Sequence, residues 1–318
     1  MIKTELGLGL AAIGRPEYLN IRNEADLNKT ESFYHENAIK VMDYAYKQGI
    51  RHFDTAPSYG QGEAFLQEWF RQHPYKDLAL STKWGYTYVA NWELGYKGPH
   101  EIKEHSVKKL IEQWSVSKHL LPALQVYQVH SATFESGILD NNEVLQKLFE
   151  IKKETGLKIG ITTSGENQGD VLKYASQIRM NNKPLFESFQ VTYNILEAST
   201  HELLKELMIA GRIVIIKEAL ANGRLFSNDK YKHYAHLYSY LERLSKKYGV
   251  SADAIALRFI IDHLKPNIVL SGASSISQLS ENMKSRQFNL EDQELISLSK
   301  YAVESNFYWN ERSQMQWN

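Results

Sequence analysis

The feature that most constrains the fold is an alternation that fills the 318-residue chain. Short apolar runs of β-like composition cover residues 6–14 (shading into a glycine-containing loop), 50–54, 77–84, 123–130, 157–164, 188–194, 212–220 and 267–274. Between and after them, apolar positions recur at helical spacing. That periodicity predicts helices over about 35–48, 63–72, 101–116, 141–156, 168–180, 200–211, 231–248, 252–264 and 275–285. Strand, helix, strand in succession requires a parallel sheet, and eight such units predict an α/β (β/α)8 TIM barrel in a single domain, 1–318. An open doubly wound sheet is the alternative. Glycines 7, 9 and 14 miss the G-x-G-x-x-G spacing that would favour it.

Polar, titratable residues stand at the ends of successive strand-like runs. Asp54 closes the second in GIRHFDTAPSYGQGE, and Tyr59 follows it across a short turn. Lys83 ends the third, in LALSTKWG, and His130 the fourth, in ALQVYQVH. Singly, each has a packing alternative: an Asp as a helix N-cap, a Tyr or a His satisfied in the core. The lysine has the weakest one, because a lone buried ammonium is costly. In a parallel barrel, however, the strand C-termini share one face, where residues from several strands meet.

Those four residues, in that order, resemble the reacting set of the aldo-keto reductases, and the resemblance implies carbonyl reduction, which needs a hydride at carbon and a proton at oxygen. No side chain donates hydride, so a cofactor must. Tyr59 is the expected proton donor. A free phenol, with a pKa of about 10, is poorly matched to that task, and a neighbouring cation would lower it. Lys83 is the expected cation, Asp54 its partner, and His130 the group that orients the carbonyl.

Bulk properties exclude other classes. Apolar residues make up 43 %, ample for a large core. Lys plus Arg equal Asp plus Glu at 37 each, so there is no basic footprint for nucleic acid or an anionic membrane. With no cysteine, disulfides and thiolate metal sites are ruled out. His100 and His105 lie five apart and do not share a helix face well, so no metal site is expected. No apolar run approaches transmembrane length, and the N-terminal stretch lacks the apolar centre of a signal peptide. The expectation is a soluble cytoplasmic protein, its Asn28-Lys29-Thr30 sequon unused. The loop 85–100 collects Tyr86, Tyr88, Trp92 and Tyr96, and the tail 301–318 is also rich in aromatics; both are expected near a substrate pocket.

The motifs GIRHFDTAPSYGQGE, STKWG, YQVH, IGITTS, SFQVTYN and SGASSISQLSEN, in that order, resemble those of the aldo-keto reductases over essentially the whole length. The resemblance implies a (β/α)8 barrel with a nicotinamide cofactor at the strand C-termini. It also implies a catalytic tetrad at Asp54, Tyr59, Lys83 and His130. Thr162, Thr163 and Gln190 would hold the carboxamide, and Tyr193 would stack on the ring. Leu220, Gly223, Arg224 and Leu225 would lie beside the pyrophosphate, with Lys217 close by. Ser271, Gly272, Ala273, Ser274, Gln278, Glu281 and Asn282 would surround the adenosine.

Four places depart from the family pattern, the first being Gln67, where a glycine commonly follows the leucine of the second helix. Thr162-Thr163 stands for a usual Ser-Asn, Lys217-Glu218-Ala219 for an aromatic, Ser and Pro, and Gly272 and Gln278 for a common Lys and Arg. The implied activity is NADPH-dependent reduction of an aldehyde or ketone, such as a sugar or other small polar carbonyl, with NADH as the other cofactor. A nicotinamide-binding regulatory subunit with little turnover is the alternative function.

Overall fold

The computed structural model describes residues 3–18, 20 and 28–317. Eight parallel strands close on themselves: β1 (Glu5–Gly9), β2 (His52–Asp54), β3 (Ala79–Trp84), β4 (Leu124–Ala132), β5 (Lys158–Thr163), β6 (Phe186–Thr192), β7 (Ile213–Lys217) and β8 (Ile268–Ser271). Each bonds the next, and β8 returns to β1, with Leu8 opposite Phe53 on one side and opposite Ser271 on the other.

Burial on both faces explains why the strands read as near-continuous apolar runs. On β7 and β8, Val214, Ile216 and Val269 pack into the large cluster beneath the helices. The alternate residues Ile215, Ile268 and Leu270 form a separate small cluster with Ile213, which the period of two assigns to the barrel interior.

The helices are α1 (Glu31–Lys47), α2 (Gly62–Gln72), α3 (Val107–Ser117), α4 (Asn142–Thr155), α5 (Gln168–Gln177), α6 (His201–Ile209), α7 (Ala235–Tyr248), α8 (Ala252–His263), α9 (Ile276–Met283), α10 (Asp292–Ser299) and α11 (Ser305–Ser313). Helix α1 begins ahead of the expected residue 35 because Thr30 caps it, accepting from the Phe33 N–H at 3.4 Å. Gly156 ends α4 in the left-handed region, φ 75°.

Helix α10 is covered by none of the expected helices, and four further features differ from the sequence reading. Residues 101–103 are a strand, not the first turn of α3, and pair antiparallel with Tyr86–Tyr88. Helix α3 starts later because Ser106 accepts from the Lys109 N–H at 3.1 Å. The expected helix 168–180 stops at Gln177, and a second small hairpin joins Arg179–Met180 to Lys183–Pro184. The tail contains α11, anchored by the buried Tyr308 and Trp309. Of the expected loop at 15–34, residues 19 and 21–27 lie outside the described residues, as does Asn318 of the tail. Among the described residues no helix is long and apolar enough to cross a membrane.

Candidate active site

The C-terminal ends of the strands surround a cavity of about 790 Å³. Asp54 is the last residue of β2, and Lys83 sits near the end of β3; both are buried and directly ion-paired. The carboxylate is held from several sides. Ser81 Oγ donates to Asp54 Oδ1 at 2.6 Å, Gln190 Nε2 at 2.9 Å and Gln128 Nε2 at 3.3 Å. Lys83 also donates to the Thr55 carbonyl at 3.0 Å. A buried ion pair tolerates desolvation only when its remaining hydrogen-bonding capacity is met, and here much of it is. Asp54, Tyr59 and His130 line the cavity, whereas Lys83 lies beneath them with Nζ 4.6 Å from the Tyr59 ring centroid.

The Tyr59 hydroxyl does not behave as the sequence suggested. Burial pushes its pKa well above the ordinary 10, and Asp54, Tyr18 and Glu101 push in the same direction. The Lys83 charge is already balanced by Asp54, and burial holds the lysine itself below its ordinary value. Tyr59 therefore keeps its proton firmly at neutral pH in this state.

His130 lies inside β4 rather than at its end. Burial pushes it well below 6.5, reinforced by the charges of Lys83, Lys217 and Arg15, so its imidazole is neutral. Its ring meets the Tyr59 ring edge-on at 5.5 Å. Nδ1 lies 3.3 Å from Ser58 Oγ. A hydroxyl proton donated there leaves the ring N–H on Nε2. The next residue, Ser131, is left-handed (φ 45°), and its N–H donates to Thr162 Oγ1 at 2.7 Å. Backbone strain of this kind is often found where side chains are aimed at a ligand.

The remaining candidates divide. Gln190, Lys217, Leu220, Gly223, Ser271, Gly272, Ala273, Ser274, Gln278 and Asn282 line the cavity. Tyr193 does not. It sits on the opposite parity from Gln190 and Thr192, and its hydroxyl lies 2.7 Å from His201 Nδ1 and 2.8 Å from His263 Nδ1 in the helical layer. Arg224 also points elsewhere, fully buried against Tyr308, donating to its carbonyl at 3.0 Å and to Glu311 at 3.1 Å. Leu225 is packed in the core. Glu281 is paired with Lys284 at 2.6 Å. Thr162 is occupied by the Ser131 amide, and Thr163 Oγ1 is buried with no partner.

Several cavity residues were not among the candidate site residues read from the sequence. Arg15 pairs with Glu101 at 2.8 Å and lies under Trp317, 4.6 Å from its ring centroid. Glu218 takes a two-pronged bond from Arg312, at 3.1 and 2.7 Å. Of the aromatics in loop 85–100, Tyr86 reaches the cavity. Trp92 instead donates to the Lys29 carbonyl at 2.8 Å and packs on Tyr34.

The donor set fits a nicotinamide dinucleotide. At the tetrad end stand Gln190, Ser131, Ser164 and Lys217. At the other end the Asn282 Oδ1 is buried without a partner beside Ser271, in reach of a donor from a bound base.

The chain is similar over most of its length to known proteins. The aldo/keto reductase family model matches residues 5–302. The aldo-keto reductase YhdN of Bacillus subtilis (strain 168) is 24% identical over 292 residues, covering 82% of this chain and 83% of that protein. The NADH-specific methylglyoxal reductase of Escherichia coli (strain K12) is 22% identical and covers 94% of each. Among solved structures, the holo form of an aldo-keto reductase from Bacillus halodurans superposes with a TM-score of 0.66 at 22% identity, over 94% of this chain and 92% of that one.

Proposed function

The chain belongs to the aldo/keto reductase family, an oxidoreductase family acting on carbonyls, and from that premise we propose that it reduces a small polar aldehyde or ketone, such as a sugar, to the alcohol. The observation that carries this reading is the buried Asp54–Lys83 pair beneath a protonated Tyr59, with a neutral His130 at its edge. When bound, a reduced nicotinamide cofactor supplies the hydride.

Each residue then has one task. His130 donates from Nε2 to the carbonyl oxygen and orients it. Tyr59 gives its proton to that oxygen as negative charge develops there. Lys83, under the ring, stabilises the phenolate left behind, an interaction that matters most in the transition state. Asp54 fixes Lys83 in place. Gln190, its Nε2 spent on Asp54, keeps its amide oxygen for a carboxamide N–H.

Two features support a polar, hydroxylated substrate. Tyr86, Tyr18 and Trp317 offer flat apolar faces, and the Arg15–Glu101 pair offers donors and acceptors beside them. For the cofactor we favour NADPH by a narrow margin over NADH. The serine-rich turn at the head of α9 supports a phosphate. No Lys or Arg lines that end among the described residues, and the Ser274 N–H is already bonded to Gln278 Oε1 at 2.8 Å.

The test is cofactor oxidation against a panel of aldoses, ketoses and simple aldehydes. Tyr59→Phe should remove nearly all turnover while cofactor fluorescence still reports binding. If the variant keeps more than about a tenth of kcat, a penalty below about 1.4 kcal/mol, Tyr59 is not the acid.

A further inference from the structure

Lys217 is a cavity group that this mechanism leaves without a task, and it lies deeper than Lys103, an exposed cation at the rim beside Tyr86. Lys217 closes β7, is half-buried with its Nζ inside, and donates to Ser164 Oγ and Thr192 Oγ1, each at 3.1 Å. Both acceptors are neutral. Glu218 is the nearest carboxylate, 3.8 Å away, beyond hydrogen-bond reach. That carboxylate is claimed by Arg312 through its two-pronged bond. Asp54 is likewise claimed by Lys83, and Arg15 by Glu101. Two cations share one carboxylate at the end of β7, so one positive charge is left over there. Its field reaches the tetrad, since it helps push down the pKa of His130.

We propose that Lys217 is a specificity-determining residue for the redox state of the cofactor: its unneutralised ammonium makes the cleft hold the uncharged reduced nicotinamide more tightly than the cationic oxidised one. The inference rests on the reductase reading above, because the two ring forms differ by one positive charge and both must sit within reach of the tetrad. At an effective dielectric of about 20, a like charge about 10 Å away weakens binding by about tenfold. The consequence is a bias toward carbonyl reduction and toward release of the spent cofactor.

The groups facing Lys217 are Glu218, Arg312, Lys83, Asp54 and His130. Burial pushes its pKa down to about 8, with Glu218 opposing the shift. The ammonium is present below that pH and lost above it, so affinity for the oxidised form should rise as pH passes through about 8.

The experiment is a titration of the full chain with NADP⁺ and with NADPH across that range, read by fluorescence or heat. The 2′-phosphate is common to both ligands and cancels in the ratio of their dissociation constants. In the wild type the oxidised-to-reduced ratio should fall by about tenfold on deprotonation. Lys217→Met should show the low ratio at every pH, and Lys217→Arg the high ratio at every pH. A Lys217→Met ratio equal to that of the wild type at about pH 6–7, where the ammonium is present, overturns the inference. Should that variant not fold, Lys217→Gln, which keeps a donor to Ser164 and Thr192, replaces it, and a ratio equal to that of the wild type at about pH 6–7 overturns the inference equally. If the wild type binds neither form, the reductase reading itself fails. If it binds both with no dependence on Lys217, only the present inference fails.

Discussion

Lys83 lies fully buried between a carboxylate that needs it and a phenol that will need it. Removing either end of the ion pair has unequal effects. Lys83→Met leaves a buried carboxylate that can take up a proton, and it removes the charge that stabilises a phenolate. Activity should fall by about a thousandfold or more, on the scale of losing a directed electrostatic contact. Asp54→Asn keeps the hydrogen-bonding shape and should cost less, about ten- to a hundredfold, by loosening Lys83. Steady-state kcat for both variants at neutral pH is the check, and full activity in either removes its assigned role. At this scale the sequence was informative where residue types were improbable for their setting. An Asp, a Tyr, a Lys and a His at strand ends have little reason to be buried together. Tyr193 and Arg224 misled because a plausible residue type says nothing about direction. Strand parity turns the first outward, and Tyr308 and Glu311 draw the second under α11.

The eight barrel strands were legible as short apolar runs set between helices whose period ran long enough to be seen. The hairpin of Tyr86–Tyr88 and Glu101–Lys103 was not, because three residues per strand cannot display an alternation and Glu-Ile-Lys continues the helical pattern of α3. Helix α11 was hidden for another reason: its sequence, SNFYWNERS, carries aromatics that bury two rings without a regular stripe. The head of α9 carries the prediction at this scale. Ser275 caps it by accepting from the Gln278 N–H at 3.2 Å, while the Gln278 side chain turns back onto Ser274. Gln278→Arg releases that amide and adds a forked cation beside the cavity. The kcat/KM preference for NADPH over NADH should rise by about tenfold, the value of one charge-assisted hydrogen bond to phosphate. No change in preference would place the adenosine elsewhere.

Across the whole molecule, several histidines are buried neutral. Burial holds His52, His105 and His263 at about 4. In the unfolded chain they titrate near about 6.5. Between those values the unfolded state binds more protons, so stability is complete above about 6.5 and falls as pH drops toward 4. Fully buried His52 costs on the order of 1–2 kcal/mol by about pH 5, and the half-buried His105 and His263 cost less because solvent screens them. Glu63 and Asp253, raised by burial, oppose this but are fewer. The melting temperature should therefore drop by several degrees between about pH 7 and about pH 5. A flat profile would mean that these rings gain protons without unfolding.

The wall of the cavity is assembled from distant parts of the chain. The reacting groups stand on β2, the turn after it, β3 and β4, while Arg312, Met315 and Trp317 come from the tail, with Trp317 stacked flat on His100 at 4.4 Å. Chemistry and selectivity are thus inherited as separate parts. Over generations, replacements at Met315 or Trp317 could redraw the range of molecules admitted while the proton donor and its buried pair stay as they are. The Arg312–Glu218 bond is one of the ties between the two parts, so a descendant that changed its diet most freely would be one that left that clasp alone.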